Sequence, residues 1–464
     1  MLRKILTAMT LCASMLFAAP SFVKASAQIE VDITRGTIAP LPIAVPDFKA
    51  GPGAEQLARQ ISEVVRNDLV STGRFKTIDP AAFIQKDLSI SLQPRFADWR
   101  IINSDALVVG EVSLDSDGIV STVFRIWDVQ GGELYRLTVR DSATDQLVES
   151  GGGNFRINKD DWRRIAHKTA DAIYTRLTGD DGIFDSRIVY IAESGPKTNR
   201  VKRLAIMDSD GANQVFLTEG RNRILTPRFS TSDQEITYMS FEGGRPRVYL
   251  FNLRNGRQEV LGNFPGMTFA PRFSPDGRSV VMSQALNGNS DLYLMDLRTR
   301  QTRRLTDHPA IDTSPSMSAD GRQVTFTSDR GGSPQIYVMN TDGSPLTCPS
   351  GGQDKACRIT FGRGNYSTPV WSPRGDLIAF TKQVRGKFHI GVIGTDGQGE
   401  RLLSEAYLDE GPAWSPNGRV ITFFRESRPG AGPKLYSIDL TGRNLRQLQT
   451  TTDASDPAWS PLLK

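Results

Sequence analysis

Histidine and cysteine are scarce in this chain, with three of each in 464 residues. His167, His308 and His389 stand singly, without an H-E-x-x-H run or paired cysteines beside them, so a zinc site has little to build on. A G-x-S-x-G elbow is missing, which removes the serine-hydrolase chemistry that some repeat-built peptidases carry. Apolar runs long enough to span a bilayer are absent, and the one at the start, Ile5 to Ala19, is short. Nor is there a large excess of one charge, with 56 Lys and Arg against 51 Asp and Glu. The chain does have 38% hydrophobic residues, enough for the cores of two or three domains, and 42 Gly and 26 Pro spread along its length. Disordered and fibrous classes are thereby excluded, and dispersed turn residues imply many short strands.

The first 27 residues read as a signal peptide. Arg3 and Lys4 precede the apolar run, and Ala25-Ser26-Ala27 puts small residues where a signal peptidase reads, so cleavage is expected before Gln28. Cys12 follows Leu11, where a lipoprotein signal needs a small residue, so lipid attachment is not expected. Cleavage takes away Arg3, Lys4 and Lys24 and no acid. The remaining 437 residues hold 53 bases and 51 acids, and the net charge falls from +5 to +2. Nucleic-acid binding loses its only global support.

Residues 28–182 have the texture of a small α/β domain. Ile29, Val31 and Ile33 alternate with Glu30, Asp32 and Thr34, which predicts a strand with one wet face. A second strand is expected over Leu41 to Phe48, after which Leu57, Ile61, Val64, Val65 and Leu69 recur at helical spacing until Gly73. Further strands are expected at Ala106 to Val112, Val120 to Val129 and Leu134 to Val139. Trp162, Ile165, Ala166, Ile173 and Leu177 mark a second amphipathic helix.

Residues 183–464 are built on a cassette that recurs six times. Pro227-Arg228-Phe229-Ser230, Pro271-Arg272-Phe273-Ser274, Pro315-Ser316-Met317-Ser318, Pro369-Val370-Trp371-Ser372, Pro412-Ala413-Trp414-Ser415 and Pro457-Ala458-Trp459-Ser460 share Pro, a large apolar residue and Ser. Their prolines lie 44, 44, 54, 43 and 45 residues apart. Repeats of this period, rich in short strands, predict a six-bladed β-propeller. Pro suits the opening of a strand, the large residue fills the space between sheets, and Ser274-Pro275-Asp276-Gly277 fits a type I turn. The ends of the series are complementary. The sixth cassette stops at Ser460-Pro461 without its second strand, while Arg187 to Ala192 is a second strand with no cassette before it. The carboxyl-terminal strand is therefore expected to complete the first blade and close the ring.

The signal peptide, the α/β domain with its Pro42-Ile43-Ala44-Val45-Pro46-Asp47-Phe48 stretch, and the six Trp-Ser-Pro-Asp-Gly-like repeats together resemble the TolB family of the Tol-Pal system. Ile29-Glu30-Val31-Asp32-Ile33, directly after the cleavage point, adds to the resemblance, which covers the whole chain beyond residue 27. It implies a non-enzymatic periplasmic protein, monomeric and without a cofactor, that neither inserts into a membrane nor binds nucleic acid. The implied partners are the peptidoglycan-associated lipoprotein and the inner-membrane protein TolA, and the implied role is outer-membrane integrity and constriction during division. In this family the first mature residues engage TolA, which carries over to Gln28, Ile29, Glu30, Val31, Asp32, Ile33, Thr34 and Arg35. An alternating strand at a terminus can detach and add to a foreign sheet edge, or stay as an edge strand of its own domain. The family's lipoprotein-binding surface lies at one propeller mouth, in loops before the cassettes. The matching positions here include Met267, Phe269, Ala270, Thr313 and Ser314.

Charge at that mouth follows a pattern. The inter-unit loops 219–226, 263–270, 307–314, 361–368, 405–411 and 450–456 hold three bases and eight acids. The loops joining second to third strands, which emerge at the same end, hold thirteen bases and five acids. The mouth is thus expected to be acidic near the axis, where Glu410 and Asp456 join the partner-binding set, and basic outside. Such an arrangement steers an acidic partner to the outer loops while the inner acids accept a basic group or a cation, with merely solvated loop charges as the alternative. The rival class is a propeller hydrolase such as a metal-dependent lactonase, with a calcium site drawn from acids and Asn around the channel. Asp115-Ser116-Asp117-Gly118 lacks EF-hand spacing and reads as a turn. Cys348 and Cys357 fall in the one repeat that is ten residues longer than its neighbours. In an exported chain they point to a disulfide pinning the insertion, with two free thiols as the alternative.

Overall fold

The computed structural model describes residues 39–140, 147–231, 235–262 and 264–463. The signal peptide expected over residues 1–27 and Gln28 to Arg35, with the strand expected there, lie outside the described residues.

The amino-terminal domain is a mixed sheet between two cores. Its elements are β1 (Leu41–Ala44), β2 (Lys49–Ala50), α1 (Glu55–Ser71), β3 (Phe75–Thr77), α2 (Phe96–Ile101), β4 (Ala106–Leu114), β5 (Ile119–Asp128) and β6 (Glu133–Leu134). A separate hairpin of β7 (Leu137–Arg140) and β8 (Leu147–Ser150) precedes β9 (Gly153–Asn158) and α3 (Trp162–Thr178). The sheet runs β3-β1-β4-β5-β6, with β2 also paired to β4 and β9 to β5. Strand alternation divides the cores. In β4, Ala106, Val108 and Val112 join the apolar faces of α1 and α3, while Leu107 and Val109 meet Trp99 and Trp127 on the other side. The strand expected over Leu41 to Phe48 ends at Ala44, just before Val45 and the donorless Pro46, and pairing resumes only at β2. Phe48 then lies flat on β4 at Gly110, where an added Cβ would come within 2.7 Å of its ring. The run expected over Leu134 to Val139 is likewise divided, between β6 and β7.

The remainder is a propeller of six four-stranded antiparallel sheets. Blade 1 comprises Arg187–Ser194, Val201–Asp208 and Val215–Phe216, and its innermost strand is the carboxyl-terminal Asp453–Trp459, paired to Arg187–Ser194. The other innermost strands are Ile224–Phe229, Met267–Phe273, Asp312–Met317, Asn365–Trp371 and Leu408–Trp414, and the six touch one another around the channel. The large cassette residue packs between sheets: Trp371 joins Ile336 and Val338 of blade 4, and Trp414 joins Val370, Ile390 and Val392 of blade 5. Blade 4 carries the insertion as a small hairpin, Leu346–Thr347 with Gln353–Asp354, and Cys348 and Cys357 form a disulfide with Cα atoms 5.1 Å apart.

The cassette proline does not open its strand. Each inner strand begins three or four residues earlier and passes through a bulge at the proline, where the pairing register shifts. The residue just before the proline is left-handed in all six blades: Thr226 (φ 49°), Ala270 (49°), Ser314 (55°), Thr368 (49°), Gly411 (67°) and Asp456 (50°). A bulge leaves one residue unpaired, so a proline there costs the ladder no donor.

The amino-terminal domain covers the propeller end opposite the inter-unit loops. Arg419, beyond the first turn of blade 6, donates to both oxygens of Asp180 at 3.0 and 2.7 Å, and Asn417 in that turn donates to the Asp181 carbonyl at 2.8 Å. Asn444 Nδ2 donates to the carbonyl of Ser71 at 2.9 Å, and Arg163 of α3 pairs with Asp208 and Asp210 of blade 1. Among the described residues, the contacts of this domain with the propeller lie at that end and not at the inter-unit mouth.

Candidate partner-binding mouth

All seven mouth positions singled out in the sequence sit on inner strands rather than in loops, because the bulge lets each strand continue past its proline. Met267 stands 44% exposed at the rim. Phe269, Ala270, Thr313, Ser314, Glu410 and Asp456 are half-buried further in. Some also stitch blades together. The Ser314 N–H donates to Ser283 Oγ of blade 3 at 3.2 Å, and the Thr226 N–H of blade 2 donates to Asp456 Oδ2 of blade 1, also at 3.2 Å.

Reasoning from charge missed the apolar part of this surface. Leu286, at the rim end of its strand in blade 3, and Ile311, Phe361 and Tyr407, in the loops before the inner strands of blades 4 to 6, are with Met267 43–54% exposed. The signal was legible as large apolar residues in segments already assigned to loops. Large apolar side chains left exposed at one end of a folded domain point to a contact site there. Beside this arc, between blades 1 and 2, an open cleft of about 380 Å³ is lined by Glu219, Arg221, Tyr238, Glu242 and Gln258 among others.

The expected acidic ring is mostly neutralised. Six of its eight acids are ion-paired: Asp312 with Arg330, Asp409 with Arg425, Asp453 with Arg200 and Lys434, Asp307 with Arg304, Glu405 with Lys387, and Glu219 with Arg221. Most of these bases belong to the second and third strands or the loops between them, so what reads as two opposite rings in sequence is one interlocked set. Glu410 and Asp456 make no ion pair among the described residues. Burial, and then the nearby Asp456 carboxylate, raises the Glu410 carboxyl above its ordinary value.

Among the described residues, the side chains that converge in a metal-like group are Asp68, His167 and Asp210, far from the mouth at the domain junction. His167 Nδ1 lies 2.7 Å from Asp68 Oδ2 and both side chains are buried. Burial by itself would lower the imidazole's pKa, but Asp68, with Asp210 and Asp208 behind it, outweighs burial and holds it up at about 9. Arg163 already pairs with Asp210, so the group reads as an ionic clamp between domains.

Residues 29–135 match the TolB amino-terminal domain, and residues 174–463 match the TolB beta propeller domain. The chain is 54% identical over 446 residues to the Tol-Pal system protein TolB of Paramagnetospirillum magneticum, a match spanning 95% of this chain and 94% of that one. It also resembles the crystal structure of TolB from Acinetobacter baumannii, with a TM-score of 0.76 and 29% identity over 91% of this chain and 97% of that one.

Proposed function

Because the chain belongs to the TolB family of the Tol-Pal system, we propose that it is a non-enzymatic periplasmic scaffold with two separate docking sites. The propeller mouth receives the peptidoglycan-associated lipoprotein, and the first residues after cleavage, Gln28 to Arg35, engage TolA. Through these contacts the protein supports outer-membrane integrity and envelope constriction in division.

The observation that carries the mouth assignment is the exposed apolar arc of Met267, Leu286, Ile311, Phe361 and Tyr407, bordered by ion-paired side chains. An apolar centre with a polar rim is the anatomy of a protein interface. The lactonase alternative is disfavoured by ligand supply, since calcium takes six to eight oxygen ligands and, among the described residues, the mouth-loop acids left unpaired are Glu410 and Asp456.

The test is a binding titration of the mature protein. Phe361→Asp is expected to weaken lipoprotein binding and leave TolA binding intact, while deletion of residues 28–35 does the reverse. Lipoprotein affinity unchanged in Phe361→Asp would remove the mouth from the reading, and TolA binding that survives the deletion would remove the terminal segment.

A further inference from the structure

The proline-plus-one position of the cassette lies on the innermost strand and is directed toward the next blade, where Val370 packs with Trp414 and Ser316 Oγ accepts the Trp371 N–H, and its occupants differ sharply between blades. Four cassettes carry Ser316, Val370, Ala413 and Ala458, all buried. The two adjacent blades 2 and 3 carry Arg228 and Arg272. Across the ring order the inner strands therefore present Glu410 on blade 6, Asp456 on blade 1, then the two arginines: an acidic side beside a basic one, with blades 4 and 5 uncharged at these positions.

The two arginines are not equivalent. Arg228 donates to the Pro227 carbonyl at 2.6 Å and feels the Asp456 carboxylate. Arg272 makes no hydrogen bond or ion pair to a described residue, and the charged neighbour it feels is Arg228, of the same sign. Burial, with Arg228 second, lowers its pKa well below the ordinary value, although both arginines are only half-buried. A deep guanidinium beside a like charge is costly unless something of opposite charge joins it. Its backbone is held firmly, with left-handed Ala270 two residues before Arg272 and left-handed Thr226 two before Arg228. Met267, on the same strand as Arg272, opens onto the apolar rim.

We infer that Arg272, assisted by Arg228, forms a carboxylate-binding subsite in the channel that receives an acidic side chain of the protein docked on the mouth. The inference rests on the docking reading above. A carboxylate fits the fork of a guanidinium and adds the one negative charge that Arg272 lacks. A dianion is disfavoured, because Asp456 stands on the inner strand beside that of Arg228 and Glu410 on the next strand around the ring.

The test measures binding of the lipoprotein's soluble domain to wild type, Arg272→Gln, Arg272→Lys and Arg228→Gln. Arg272→Gln removes a side chain without bonds, so its thermal midpoint is expected to hold or rise. Its affinity is expected to fall about tenfold to a hundredfold, the worth of a hydrogen bond to a charged group. Arg272→Lys restores part of the loss, and one acid of the lipoprotein, changed to its amide, costs nothing further on the Arg272→Gln background. Arginine variants that bind within about twofold of wild type, while Phe361→Asp does not bind, overturn the subsite and spare the docking reading. If wild type itself fails to bind the lipoprotein, the docking reading falls and a second arm decides. A higher thermal midpoint in sodium acetate than in equimolar sodium chloride, absent in Arg272→Gln, supports the subsite, and equal midpoints overturn it.

Discussion

Arg330 grips Asp312 through both carboxylate oxygens, at 3.0 and 2.7 Å, while its guanidinium lies over the rings of Phe326 and Tyr337. Arg425 holds Asp409 in the same way in blade 6, over Phe423 and Tyr436. Asp312 is fully buried, so removing it strands a charge rather than releasing one to water. Asp312→Ala is expected to lose about 3–5 kcal/mol of stability in denaturant unfolding, and Asp312→Ala with Arg330→Met to recover most of it. A loss below about 1 kcal/mol, the range of exposed pairs, would mean the contact is ornamental.

The left-handed ring at the bulges makes a reciprocal pair of predictions. Ala270 stands at φ 49° and Gly411 at φ 67° in equivalent positions. A side chain there costs about 1–2 kcal/mol, partly offset in the unfolded chain by about 0.4–1 kcal/mol. Ala270→Gly is expected to raise the thermal midpoint slightly and Gly411→Ala to lower it. Shifts of the same sign would refute a shared backbone origin.

His167 should give the domain junction a dependence on alkaline pH. Its pKa is held up at about 9, against 6.5 for the free imidazole. The protonated form is thus favoured by folding, and the stabilisation is complete below about 6.5 and lost as pH rises through about 9. Thermal midpoints of wild type are expected to fall across that window, and His167→Gln to flatten the profile. A wild-type profile flat between those limits would show that the imidazole is neutral in the clamp.

Closure by the last strand can be tested by truncation. Ending the chain at Thr452 removes Asp453–Trp459 and bares one edge of Arg187–Ser194. An exposed apolar edge strand invites pairing with other chains. The truncated protein is expected to aggregate and to unfold without a single cooperative transition, read by light scattering and calorimetry. A monomeric, cooperatively folding truncation would mean that the ring does not depend on this strand.

Much of the architecture was legible because periodicity reports it directly. Leu57 to Leu69 marked α1, and the spacing of six prolines counted the blades. The breaks were harder to read. Pro46 stood in plain view within a run that reads as one strand, and the bulges were hidden because a proline in a strand has two sanctioned places, its opening and a bulge. For the mouth, Met267 to Asp456 were legible as positions, but Ile311, Phe361 and Tyr407 were passed over, since exposure of an apolar residue is not written in its neighbours.

The residues alone give the parts and their order: an expected export signal, an α/β domain, six repeats, and two incomplete ends that complete each other. These follow from local periods and turn chemistry, which act over a few residues. Only the tertiary structure decided which charges are free. Asp312 and Arg330 are eighteen residues apart in sequence yet share one buried contact, whereas Arg272 has no partner among the described residues. Charge pairing is a property of distance in space, and a count of acids and bases along loops cannot separate a neutralised ring from the few groups that remain able to bind.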